Sequence, residues 1–508
     1  MAPSPDIDAP PTSRHVAKGA GTALLARAGS LIEILSQPLY VLLFGLPTYG
    51  LYMVLWSAVN LIENIADMGM TSALQRVVPQ ARTDEDRAAA LRAAMLWGMI
   101  PCITIAALVS LGAPWLAEIV NTAASDRAKL VTGIALFAWA LPFWAFVEIA
   151  TSALRARKAF GPEIRLRIMW EQVLRMIAAT LLWASGVDTL GLLIAHLCSL
   201  AITSAFSVRL LAKYYRLDLV LRGPPSPGMG RLTFLAGIST LPTNVVTRLF
   251  ADAPPLVLNA ILPGATGASA AGLFAIARKI ASAVQLIRQA FTYVIAPLAS
   301  EAARHDIKHV MAIYGFATRL TLVVAVPTVC TIIGGGTAIL GLFGPAAQAA
   351  YWPLALLTLT RLVEALAGQA SAIQSVISQY HHPLVGSVIG LAASLLIGWW
   401  LLPQGGMDGM AIAISAGITI SMLTPMVQLW QHHRLHPFSP PFLQAAVVSA
   451  VAGIGVLLAS ELIAQLHDAI RLGAGALLLL GGIWLSGKFG LAAADKVALG
   501  KTARKLRL

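Results

Sequence analysis

YGLYMVLWSAVNLIENIADMGMTSALQRVVP, residues 49–79, is the stretch that decides the fold class. Its apolar residues do not alternate with polar ones at every second position, so a membrane-barrel strand is disfavoured. They continue for about 20 residues, the length at which a helix crosses about 30 Å of hydrocarbon. A second stretch, AGLFAIARKIASAVQLIRQAFTYVIAP at 271–297, has the same plan. Both open Gly-Leu-aromatic (Gly50, Leu51, Tyr52 and Gly272, Leu273, Phe274), continue as a span and reach a proline, Pro79 or Pro297. The first lies in the second candidate span and its copy in the eighth. An even offset keeps both copies in one orientation, so the two halves are expected to be parallel repeats about an axis along the membrane normal.

Working outward, the whole chain has the same character. Of 508 residues, 57% are hydrophobic and only 12% charged, with a mean hydropathy of +0.76. Soluble domains carry roughly 25% charged residues. Apolar windows between 20 and 490 give about fourteen expected transmembrane helices. The expectation is an all-α polytopic membrane protein with a tail at 1–19, a six-helix lobe at 20–215 and a linker at 216–232. A second six-helix lobe at 233–431, two additional spans at 441–490 and a basic tail at 491–508 complete it.

Lys and Arg crowd alternate loops. Arg76, Arg82, Arg87 and Arg92 are followed by Arg155, Arg157, Lys158, Arg165 and Arg167, then by Lys213, Arg216, Arg222 and Arg231. The final tail adds Lys496, Lys501, Arg504, Lys505 and Arg507. The positive-inside rule puts both termini in the cytoplasm, with the chain in a bacterial inner membrane. Anionic inner-leaflet lipid accounts for the net charge of +13, so no nucleic-acid partner is implied. The start, MAPSPDIDAPPTSRHVAKGAG, lacks the apolar core and small-residue cleavage site of a secretory signal and reads as a disordered tail. Cys102, Cys198 and Cys330 lie apart in apolar runs and suggest neither a metal site nor a disulfide framework. His432, His433 and His436 form a basic turn rather than a metal site.

Several segments carry a family resemblance: YGLY at 49–52, DMGMTSALQR at 67–76, RLFADAPPLVLNAIL at 248–262 leading into AGLFAIARK, and LFGPAAQAAYWPL at 342–354. They resemble the polysaccharide-unit (O-antigen or exopolysaccharide type) flippases of the multidrug/oligosaccharidyl-lipid/polysaccharide (MOP) exporter superfamily. The resemblance covers most of residues 20–430. It implies two lobes around a central cavity that opens alternately to either side, with no bond made or broken. The cargo would be an undecaprenyl-diphosphate-linked oligosaccharide passing to the periplasmic leaflet, with a polysaccharide polymerase and chain-length protein as partners. The lipid II flippase and ion-coupled drug antiporters of the same superfamily are alternatives. A membrane-embedded glycosyltransferase or polymerase is the alternative of another class, but it needs a large outer loop for its catalytic groups, and the outer loops here are short. No P-loop is present, so the expected driving force is an ion gradient, H⁺ or Na⁺, or the membrane potential; no cofactor is implied.

Ionisable residues inside a membrane are functional candidates by default. Glu171 and Arg175, Arg248 and Asp252, and Arg361 and Glu364 stand three or four apart, where helical neighbours can neutralise each other. Arg27, Arg278, Lys279 and Arg288 have no carboxylate at those spacings. A guanidinium fork matches phosphate oxygens with paired hydrogen bonds. Arg27 and Arg278 lead the expected substrate-binding set, Arg248 and Arg361 follow, and Lys279 and Arg288 complete it, although Arg288 could instead snorkel to the interface. Glu63 and Asp67, four apart on one helix, are ion-coupling candidates, because two close carboxylates cannot both ionise cheaply. The competing reading gives Asp67 a capping or packing role. Glu33, a third coupling candidate, could also pair with Arg27, as could Glu148.

Overall fold

The computed structural model describes residues 30–157, 159, 165–224, 226–302, 307–377 and 382–507. Every regular element among them is helical. Among the described residues, eight helices are long and apolar enough to cross a membrane. The first described helix is α1 (Ser30–Phe44). The chain divides into two compact units. One comprises Gly29–Ile276 with Leu402–Met410; the other includes Ala277–Leu401 and Ala411–Leu508.

The N-terminal unit is built around α2 (Leu46–Ala66), whose face from Tyr49 to Glu63 is largely buried. It is followed by α3 (Met70–Val77), α4 (Asp84–Leu111), α5 (Leu130–Phe137) and α6 (Ala140–Ala156), then α7 (Glu171–Ala184), α8 (Thr189–Tyr214), α9 (Met229–Ile238) and α10 (Leu241–Ile261). Met68 and Gly69 turn the chain between α2 and α3 with φ of 52° and 72°. A Cβ on Gly69 would lie 2.3 Å from the Gly237 carbonyl oxygen, so only glycine lets this turn seat against the end of α9. Met70, Leu74, Leu91, Ile149, Leu154 and Ala236 pack together beside it as one core.

At the start of α4, Thr83 caps the helix by accepting from the Asp86 N–H at 3.1 Å. The segment leading to α9 is tied to this helix: Arg92 donates to the carbonyls of Leu219 at 2.5 Å and Val220 at 2.9 Å. Ser226 Oγ lies 2.5 Å from Asp86 Oδ1. Hydrogen bonds from Ser226, then Thr83, hold the Asp86 carboxyl below its ordinary value.

Helix α11 (Gly264–Ala302) begins in the N-terminal unit and continues into the C-terminal one. The C-terminal unit then contains α12 (Ile307–Gly334), α13 (Tyr351–Ile377), most of α14 (His382–His433), α15 (Pro440–Leu462), α16 (Asp468–Leu485) and α17 (Ala493–Leu499). Helix α14 has a non-helical backbone at Gly406. Helix α12 packs along α13 and α15. The short α17 is held to α12 by a two-pronged ion pair, Arg319 Nε to Asp495 Oδ2 at 2.8 Å and Nη2 to Oδ1 at 2.6 Å.

Much of the apolar surface faces outward. Only 17% of the apolar window of α16 and 22% of that of α15 is buried inside the protein. Trp399 and Trp400 are 87% and 71% exposed. Such surface is unfavourable in water and favourable in hydrocarbon, which is the physical content of a multi-pass membrane protein.

Candidate functional site

The strongest cationic feature lies in the C-terminal unit, where α11 and α13 bring two arginines to one carboxylate. Arg288 Nε is 3.0 Å from Glu364 Oε1, and Arg361 Nη1 is paired with Oε2 of the same side chain. Gln285 Nε2 reaches Glu364 Oε1 at 3.5 Å. Arg361 follows from its position one helical turn before Glu364. Arg288 gets there by lying across Gly368, where a Cβ would come within 2.7 Å of its Cδ. The carboxylate is 6% exposed, the guanidinium side chains of Arg361 and Arg288 12% and 22%. Two cations against one anion leave a net positive charge in a low-dielectric setting, where a passing anion would feel it strongly.

Arg248 and Asp252 form their pair on α10 at 3.7 Å, with Arg248 35% exposed and Asp252 5%. Arg278 and Lys279 are part-buried on α11, about 15 Å along the helix from Arg288. Arg27 lies outside the described residues.

The acidic candidates separate. Asp67 is 3% exposed, and its Oδ1 accepts from the Gly69 N–H at 2.5 Å and its Oδ2 from the Thr71 N–H at 3.2 Å. Both oxygens therefore serve the start of α3, where orphan N–H groups need acceptors. Glu63 is 2% exposed, and its Oε2 accepts from Asn64 Nδ2 at 3.0 Å. Glu33 sits part-buried in the first turn of α1.

One buried network was not read from the sequence beyond its ion pair. Glu171 pairs with Arg175 on α7, Arg175 Nη1 donates to Tyr52 Oη at 3.3 Å, and Tyr52 Oη lies 3.0 Å from His196 Nδ1. Trp56 closes over it, with its ring centroid 4.2 Å from that of His196. The available signal was helical phase: Tyr52 and Trp56 stand four apart on α2, on the face that α7 and α8 cover.

The two Gly-Leu-aromatic starts meet within the N-terminal unit. A Cβ on Gly50 would lie 1.9 Å from the Ala268 carbonyl oxygen, and one on Gly272 would lie 3.0 Å from Gly50 Cα.

Known structures share this architecture. The chain is similar to the lipid II flippase MurJ in an inward closed conformation, with a TM-score of 0.68 at 13% identity, covering 95% of this chain and 100% of that one. It is also similar to an inward-facing multidrug resistance MATE family transporter of the MOP superfamily, with a TM-score of 0.62 at 15% identity and coverage of 83% and 94%. A MOP superfamily transporter from Pyrococcus furiosus gives 0.60 at 14% identity, with coverage of 83% and 96%. At such identities the likeness establishes the fold alone, which this chain shares with these transporters. The family described as Polysaccharide biosynthesis protein matches residues 16–303, more than half of the chain, and the chain belongs to that family. No curated protein matches it.

Proposed function

We propose that the protein is a flippase that carries undecaprenyl-diphosphate-linked oligosaccharide units from the cytoplasmic to the periplasmic leaflet of a bacterial inner membrane by alternating access. The observation that carries this reading is the Arg288–Glu364–Arg361 cluster. A diphosphate must shed water to enter a membrane protein, and guanidinium forks replace that water with paired hydrogen bonds. Glu364 tempers the attraction, leaving enough positive charge to admit the anion but less than would trap it. A cationic drug would be repelled, which disfavours the antiporter alternative. The Gly50–Gly272 crossing supports alternation, because two backbones in contact at one end of α2 and α11 make a closure that opens by separating these helices. Both termini would be cytoplasmic, and H⁺ or Na⁺ would supply the coupling, with Glu63 the acidic candidate less committed to backbone capping than Asp67.

Deleting the gene and following radiolabelled lipid-linked sugar tests the proposal. The expected result is assembled precursor accumulating on the cytoplasmic side. Normal export with loss of polymer growth would instead assign the chain to a polymerase.

A further inference from the structure

Helix α10 has two unlike halves. Its second half is anchored: Asp252, Pro254, Pro255, Leu258 and Asn259 are buried, and the helix packs on α2. Asn259 and Asn121 exchange amide bonds, with Asn259 Nδ2 donating to the Asn121 carbonyl at 2.7 Å and Asn121 Nδ2 to the Asn259 carbonyl at 2.8 Å. The first half presents polar groups instead. Thr240, Thr243, Asn244 and Thr247 follow an i, i+3, i+4, i+7 spacing, a single helical face. Thr243 and Thr247 are exposed, and Asn244 is partly so.

Depth makes this face informative. Counting about 1.5 Å per residue from Met229, beside the basic linker, the face lies about 16–27 Å into the span. The hydroxyl donors of Thr240 and Thr247 are met by the Gly237 and Thr243 carbonyls, but the Asn244 amide, held by Ser72 at 3.4 Å, keeps donor and acceptor capacity that hydrocarbon cannot meet, so the face looks onto water or a polar cargo. The face extends to α3, because Asn244 Nδ2 is 3.4 Å from Ser72 Oγ, one turn from the exposed Gln75. Thr247 Oγ1 donates to the Thr243 carbonyl at 2.8 Å, so its lone pairs remain available as acceptors. Arg248 next to the stripe is partly neutralised by Asp252. The lining is therefore hydroxyl and amide in character, unlike the cationic cluster on α11 and α13.

We infer that the Thr243–Asn244–Thr247 face of α10, with Ser72 of α3, is the subsite for the sugar units of the cargo, binding their hydroxyls through neutral hydrogen bonds. This rests on the flippase reading. Neutral donors and acceptors suit carbohydrate, and each bond exchanges readily with water, so the sugars can move on.

The test compares two probes on the full chain in nanodiscs: undecaprenyl diphosphate, and the same carrier bearing one N-acetylglucosamine. The wild type should bind the sugar-bearing probe about tenfold more tightly, the factor that two hydrogen bonds carry. Thr243→Val/Asn244→Leu/Thr247→Val should bind both probes alike, with affinity for the bare carrier unchanged. Thr243→Ser/Thr247→Ser, which keeps the hydroxyls, should retain the preference. Should the triple variant fail to fold, Thr243→Val and Thr247→Val singly should each lose about threefold on the sugar-bearing probe alone. A triple variant that keeps the preference, or a wild type without one, overturns the subsite. A wild type that binds neither probe overturns the flippase reading itself.

Discussion

Glu364 is flanked by two guanidinium groups, and that position fixes what its removal should do. Glu364→Gln leaves two like charges facing each other, and breaking a buried ion pair from one side costs about 3–5 kcal/mol. The partial exposure of Arg288 moderates the figure toward its lower end. Melting of the purified protein in detergent should fall clearly for Glu364→Gln. Arg361→Ala should instead leave protein levels normal and abolish export in a complementation assay; retained export would remove Arg361 from the cargo path. At Asp67, the two bonds to N–H groups of the α3 start predict a different phenotype. Asp67→Asn should cost about 1 kcal/mol of stability, the worth of a cap, and leave the ion dependence of transport intact. An ion dependence abolished in a well-folded Asp67→Asn protein would return this residue to the coupling site. Ion pairs were legible where partners are sequence neighbours, as with Arg361 and Glu364 or Arg248 and Asp252. Arg288 and Glu364 are 76 positions apart, and only the packing of α11 against α13 brings them together. For the same reason His196 could not be tied to Tyr52 in advance, since their bond depends on how α8 lies on α2.

Between elements, the crossing of α2 and α11 is the most consequential contact. The two Gly-Leu-aromatic starts stand out in the sequence, and the structure adds why glycine stands there: backbone touches backbone. Gly50→Ala should force the helices apart, an overpacking cost of about 1–3 kcal/mol that falls on the closed state alone. Cysteine accessibility at Ala268 should then rise while the protein remains folded, and unchanged accessibility with normal export would deny the crossing any gating role. The Arg319–Asp495 pair makes a separate prediction about α17. Asp495→Asn should raise hydrogen exchange over residues 493–499 while the rest of α12 stays protected, because this pair supplies the helix with its charged attachment. The polar face of α10 has a helical period that the sequence analysis did not single out. It lies within a span whose Arg and Asp drew attention first, and its meaning needed the structure to show which half of the helix is covered.

At the scale of the molecule, hydropathy was sufficient for the class, since a chain this apolar with so few charges can satisfy its backbone only as membrane helices. The number of spans is harder to read: α14 runs for 52 residues with a break at Gly406, more than one crossing needs. The family match and the MOP fold give the molecule its setting in polysaccharide biosynthesis. Under the proposed function, the cationic cluster on α11 and α13 meets the diphosphate of a lipid-linked sugar. Reconstitution tests that account most directly. Proteoliposomes holding the purified chain and a radiolabelled undecaprenyl-diphosphate oligosaccharide in one leaflet are treated with an impermeant sugar-oxidising reagent from the opposite side. The account predicts label that becomes accessible over time with its sugar length unchanged, and accessibility lost in Arg361→Ala. Label that stays inaccessible in the presence of the folded wild-type chain, or sugar that lengthens, would contradict it.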